Sequence, residues 1–253
     1  MFLAVKQILA LHRSIPNRSD TMKLQRVSLR AAGNRHWRPV LAALLCIGAP
    51  LSAFRAAQAQ AESNPNLNAQ LLVAARQQDL PRVERALQQG AAPNSRNRLG
   101  KTALLMACEK GNLPMAEALL AGGVDIGLAS IEGVTPLIAA SYAGNAAIVR
   151  RLLAAGARTD AADRMNKGAI VYAAALGYAD VVAVLLDSGV RLDAADVHGL
   201  TPLMWAAGQG QVAVVRLLLA RGARTDLRDD RGLRAAEIAR QADQPVIAAM
   251  LGA

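Results

Sequence analysis

Aromatic residues are scarce in this 253-residue chain: two tryptophans, three tyrosines and two phenylalanines, 3% in all, against 53% hydrophobic residues. A conventional globular core of this length uses more large rings, so the apolar mass here must be filled by Ala, Leu and Val. Cysteine is nearly absent too. Cys46 lies in an N-terminal apolar run, and the one remaining thiol, Cys108, cannot form an internal disulfide. Of the three histidines only His198 falls beyond residue 61, too few to build a metal or catalytic cluster around imidazole. Sustained period-two alternation is missing, and the β-branched residues fall on helical spacing, which argues against a sheet. No Ser or Cys stands in a nucleophile-type motif, and no glycine-rich phosphate loop is present.

What the chain does have is glycine at a fixed step. Gly90, Gly123, Gly156, Gly189 and Gly222 are 33 residues apart. Gly111, Gly144, Gly177 and Gly210 keep the same step, as do Gly100, Gly133, Gly199 and Gly232, with Asn166 in the vacant place of that last series. Asn is the residue other than glycine that best tolerates positive φ. A fixed period of this length means stacked structural units that each touch only their neighbours.

The aligned unit explains itself chemically. In Asp196 to Arg228, Thr201 is placed to cap a helix start and Pro202 fits its first turn, where no backbone donor is needed. Leu203, Ala206 and Ala207 bury a short first helix, which Gly210 ends in a left-handed conformation. Val214, Val215, Leu218 and Leu219 recur at helical spacing in a second helix that Gly222 ends. The recurring Asp125, Asp160, Asp193 and Asp226 read as turn-forming residues.

The Gly-x-Thr-Pro-Leu opening, the Ala-Ala pair, the mid-unit glycine, Val-x-x-Leu-Leu and the closing Gly-Ala together resemble the ankyrin repeat, over about Asn66 to Ala253. The resemblance implies an all-α solenoid of about six stacked helix-turn-helix units with short β-turn tips. The units run about 66–96, 97–129, 130–162, 163–195, 196–228 and 229–253. The first and last are atypical, as expected where an outer face meets water. The fourth opens with Gly168-Ala169-Ile170 in place of Thr-Pro-Leu, so its first helix has no hydroxyl cap and is the expected weak joint. The family's usual His after Thr-Pro-Leu is replaced by Leu105, Ile138, Val171 and Met204, so the hydrogen bonds it makes between turns are expected to be missing.

Residues 1–61 fall outside the period. Arg26, Arg30, Arg35 and Arg38 precede an apolar run from Val40 to Phe54, followed by Ala57-Gln58-Ala59. Basic segment, apolar segment and small-x-small triplet form a secretory signal peptide, with cleavage after Ala59 or Ala61. The run is short of the ~20 residues a membrane span takes, although an uncleaved signal anchor is the alternative. Met22-Lys23-Leu24 makes a more ordinary beginning than Met1, and translation is expected to start there. Export and a mature region made only of repeats point to a bacterial origin and to a periplasmic or secreted protein.

The formal charge of +10 is mostly a property of that leader. Nine of 29 basic residues and one of 19 acidic ones precede residue 62, which leaves 20 against 18. A nucleic-acid partner, which needs a basic face on the folded part, is therefore not expected. Cys108, read as aligned with Ala140, Ala174 and Ala207, is expected to be a buried small apolar residue. His198 is expected to be solvated or to touch a partner. No enzyme activity, cofactor or metal is expected, nor a stable membrane span once the signal is removed.

The resemblance places a partner-binding groove on the turn tips and the exposed side of the first helices. Carried over position by position, it contains Arg98, Leu99, Lys101 and Lys110 of the second unit, and Ile131, Glu132, Val134 and Tyr142 of the third. The fourth adds Arg164, Met165, Lys167 and Leu176. The fifth adds Val197, His198, Leu200 and Gln209, and the sixth Arg231 and Leu233. Turns usually carry Gly, Asn, Asp and Ser. These are more apolar, and two readings stand: packing against the adjacent turn, or an exposed strip rimmed by Arg and Lys. Trp205 and Tyr172 share one repeat position, and packing is the stronger reading there. The function implied is non-enzymatic protein binding by a monomer in the periplasm or envelope; the alternative is a secreted effector that binds a host protein.

Overall fold

Ala-rich segments punctuated by Thr-Pro and Gly fold as short helices in pairs. A computed structural model describes residues 65–252; the expected signal peptide and cleavage site lie outside them. The pairs are α1 (Pro65–Gln77) with α2 (Leu80–Gln88), α3 (Ala103–Glu109) with α4 (Leu113–Ala121), and α5 (Pro136–Tyr142) with α6 (Ala146–Ala154). They continue with α7 (Ala169–Ala175) and α8 (Ala179–Asp187), α9 (Pro202–Gly208) and α10 (Val212–Ala220), and α11 (Ala235–Gln241) and α12 (Pro245–Met250). Among the described residues there is no strand, only an isolated bridge between Ala162 and Gly168. The fold is an all-α ankyrin-type stack.

Two sets of caps start these helices. Thr102, Thr135 and Thr201 accept hydrogen bonds from the N–H groups of Leu105, Ile138 and Met204 at 3.2, 3.3 and 3.3 Å. Asp79, Asn112 and Asn145 do the same for the second helices, accepting from Arg82, Met115 and Ile148. Each such cap is worth about 1 kcal/mol. Gly168 and Tyr178, which begin α7 and α8, supply no side-chain cap. Asn145 has a second task, donating its Nδ2 to the Gly111 carbonyl of the preceding unit at 3.0 Å. Gln211 repeats this toward Ala175 at 3.1 Å.

First helices pack on first helices and second helices on second helices, unit against neighbouring unit. The first helices bring small side chains to the joint: Ala103, Ala107, Ala140, Ala173, Ala174, Ala206 and Ala207 are all buried. The second helices bring larger ones, with Leu119, Leu152, Leu185 and Leu218 fully buried. Leu219 is only partly covered. Close approach through alanine on one side and leucine on the other fills the core without aromatic rings.

One alignment changes. The residue a full period after Cys108 is Ser141, since Ala140 corresponds to Ala107. Both Cys108 and Ser141 are fully buried. Burial first, then Glu109 nearby, push the Cys108 thiol far above its ordinary range, so it is inert as a nucleophile. Ser141 Oγ is buried without a hydrogen-bond partner.

Candidate functional site

The candidate face is built on five tips, each a four-residue turn. Asn97, Ser130, Asp163, Asp196 and Asp229 open these turns at the 33-residue step. Their carbonyls accept the N–H of Gly100, Gly133, Asn166, Gly199 and Gly232 at 2.8–3.1 Å. The side chains then hold the loop from inside. Oδ1 of Asp163 accepts from the N–H groups of Met165 and Lys167 at 2.8 and 2.9 Å. Asn97, Asp196 and Asp229 make the same pair of bonds, while Ser130 makes one, to Val134. Asn166, standing in for glycine, takes φ +56°. At Gly133 the substitute would be crowded: φ is +82° and an added Cβ would lie 3.0 Å from Asp163 Cα on the next tip.

These bonds form without the family's usual histidine, and the tips are also tied to one another. The N–H of Ile131 donates to Leu99, Arg164 to Glu132, Val197 to Met165 and Asp230 to His198, all at 3.0–3.1 Å. The turns are therefore fixed without imidazole. The acids expected to form turns do lie in them, Asp160 and Asp193 in turns and Asp226 in a bend, but their side chains differ in what they hold. Asp125 does accept from Gly127, but Asp160 and Asp226 pair with Arg158 and Arg224, and Asp193 accepts the Arg224 N–H of the following unit.

Each tip presents two residues: Arg98-Leu99, Ile131-Glu132, Arg164-Met165, Val197-His198 and Asp230-Arg231. Because the backbone bonds join the first residue of one tip to the second residue of the tip before, the joints alternate in character. Leu99 meets Ile131, and Met165 meets Val197. Between them Arg164 Nη1 lies 3.5 Å from Glu132 Oε1, and at the end His198 Nδ1 lies 3.7 Å from Asp230 Oδ2. The apolar members are open to solvent, with Leu99 59%, Ile131 50%, Met165 43% and Val197 48% exposed. Val134, Leu200 and Leu233, just past the turn, are half-buried and pack on the core. The apolar strip thus divides into four exposed residues and three structural ones.

The remaining candidates sort by position. The side chains of Arg98 and Lys110 are exposed and make no hydrogen bond or ion pair among the described residues. Lys101 is half-buried and bonded to Glu109 Oε1 at 2.6 Å. Lys110, Leu176 and Gln209 occupy the C-terminal caps of α3, α7 and α9, and Leu176 is 41% exposed. Arg231 is held by Asp229, whose depressed carboxyl reflects burial, which raises it, outweighed by the N–H bonds of Leu233 and Arg231 and by the Arg231 guanidinium.

Sequence reasoning missed what the two aromatic first-helix residues do. Tyr172 donates its hydroxyl to Asp163 Oδ2 at 2.5 Å, and Trp205 donates Nε1 to Asp196 Oδ2 at 3.0 Å. Asp163 and Asp196 thus each bond their own loop with one oxygen and their own first helix with the other, whereas the second oxygen of Asp229 takes the Arg231 guanidinium. Burial first, then this bond, push the Tyr172 phenol up. Tyr142, 57% exposed, meets Tyr172 edge to face at 5.8 Å, and Lys167 Nζ sits 4.2 Å from the Trp205 ring centre. The signal was an aromatic nine residues after a tip aspartate, in two consecutive units.

Among the described residues no group of three His, Cys, Asp or Glu could hold a metal, and no helix is long and apolar enough to cross a membrane. The family model for ankyrin repeats, in three copies, matches residues 71–163 and 159–229. The chain belongs to the ankyrin-repeat family. Ankyrin repeats are generic protein–protein interaction modules, typically without catalytic function. No curated protein matches the chain.

Proposed function

We propose that the chain is a non-enzymatic binding module, exported to the periplasm or cell envelope of a bacterium. There it holds a partner protein, as a monomer, in the groove of its tips and first helices. The single observation that carries the binding role is the row of four exposed apolar side chains, Leu99, Ile131, Met165 and Val197, on turns fixed by internal hydrogen bonds. A pre-set surface of this kind loses little ordering entropy on binding. Export rests on the basic segment at Arg26–Arg38, the apolar run that follows it and Ala57-Gln58-Ala59, which leave a repeat domain of residues 62–253. Fractionation with N-terminal sequencing tests the location: the expected product begins after Ala59 or Ala61 in envelope or periplasmic extract. Affinity capture from that extract tests the binding. The chain carrying Ile131→Ser with Met165→Ser should keep its thermal unfolding and lose the captured partner. Unchanged capture would overturn the assignment.

A further inference from the structure

The two ends of the tip row differ in how their cations are used. At the far end Arg231 is bonded to Asp229, and Arg234 and Arg228 lie at Glu237. Near the start of the row the cations are spare. A depression of about 350 Å³ lies between α1, the first tip and α3, lined by Arg76, Gln78, Leu99, Lys101, Glu109 and Lys110 among others. Its one anion, Glu109, is already neutralised by Lys101 at 2.6 Å. Arg76 and Lys110 on its rim, and Arg98 on the same tip, are exposed with no acidic partner among the described residues. Gln78 donates Nε2 to the Ala75 carbonyl at 2.6 Å, which leaves its Oε1 buried and unbonded. Leu99 and Ile131, more than half and half exposed, adjoin this cluster.

Resting on the binding role above, we propose that this end of the groove takes an acidic segment of the partner protein, with carboxylates opposite Arg76, Arg98 and Lys110 and an apolar side chain on the Leu99–Ile131 pair. Charge complementarity selects the occupant: three cations with no acidic partner among the described residues surround an apolar contact, and the one anion of the depression, Glu109, is already paired with Lys101. A nucleic acid would need a continuous basic stripe, and the next tips carry Glu132 on Arg164 and Asp230 on His198 instead.

Selection of a random-peptide display library on the immobilised full-length chain tests this. Enriched peptides should carry Asp or Glu beside Leu, Ile, Met or Phe. A labelled representative should bind more weakly as salt rises, and lose about tenfold in affinity with Arg98→Ser and Lys110→Ser, as expected for two exposed ion pairs. Arg216→Ser, at an exposed position of α10 outside the groove, should leave it unchanged. Neutral or basic peptides that are lost with Ile131→Ser and Met165→Ser would overturn the acidic partner and leave the groove standing. Enrichment insensitive to both pairs of substitutions, or none at all, would overturn both. Equal competition by a single-stranded oligonucleotide would also overturn the proposal. Circular dichroism and thermal unfolding of each variant separate lost binding from lost fold.

Discussion

Units three and four are successive copies of one plan, held by different means. In unit three Thr135 caps α5 and Asn145 caps α6, and Asn145 also reaches back to Gly111. In unit four Gly168 and Tyr178 cap neither α7 nor α8. Unit four is tied at its tip instead, where Asp163 holds Met165, Lys167 and Tyr172 together and Asn166 donates to the Ala195 carbonyl at 2.8 Å. At the matching place unit three has only Ser130, with a single bond to Val134, and Ala139 where unit four has Tyr172. A repeat can thus be fixed from its helix starts or from its turn, and the stack tolerates both because the shared apolar joint is the same.

That shared joint sets the largest expected effect. Leu152 and Leu185 are equivalent, fully buried second-helix residues. Either change to Ala should cost about 2–5 kcal/mol, measured by urea unfolding. Similar losses would mean that the joint, and not the local ties, dominates both units. A much larger loss at Leu185 would mean that missing caps leave unit four less able to absorb a cavity.

Tyr172→Phe tests the turn-based tie directly. It removes a hydrogen bond to a carboxylate in a partly exposed setting and should cost about 1–2 kcal/mol. Amide exchange should quicken at Met165 and Lys167, whose N–H groups depend on the same aspartate. A neutral outcome there would reduce the aspartate–tyrosine pair to a consequence of packing.

A third difference runs the other way. Unit three buries Ser141, with its hydroxyl unbonded, where unit four has Ala174. Ser141→Ala should stabilise by about 1 kcal/mol, the order of the desolvation cost of an orphaned hydroxyl. An unchanged midpoint would mean that the hydroxyl finds a partner in solution.

Much of this was legible from residue identities, for a physical reason. Gly, Pro and Thr act on their own backbone, so Thr102, Thr135 and Thr201 cap where the spacing puts them, and Asn166 adopts the left-handed conformation of the glycine it replaces. Bonds between residues far apart in a unit were harder to read. Two acidic series share the 33-residue step, one through Asp160, Asp193 and Asp226 and one through Asp163, Asp196 and Asp229. Only the geometry distinguishes the surface ion pairs of Asp160 and Asp226 and the Asp193 bond to the next unit from the turn supports in the second. The apolar strip was ambiguous for a similar cause: a side chain one place past the turn glycine, such as Leu200, folds onto the core, while Val197 on the tip does not.

The smallest expected effect sharpens the comparison most. Gly168 has φ −84° and ψ 176°, close to the −86° and 164° of Thr135, so its backbone already has a threonine's cap geometry. A Cβ added there would come no nearer than 3.5 Å to the Ala161 carbonyl. Gly168→Thr should therefore stabilise by about 0.5–1 kcal/mol, mostly by restricting the unfolded chain, since glycine and threonine rank alike as caps. Amide exchange in α7 should slow toward the level of α5, with Thr135→Ala, losing about 1 kcal/mol, as the opposing control. If α7 already exchanges as slowly as α5 before the change, the tip network of Asp163 fully substitutes for both caps, and unit four is not the weak joint of the stack.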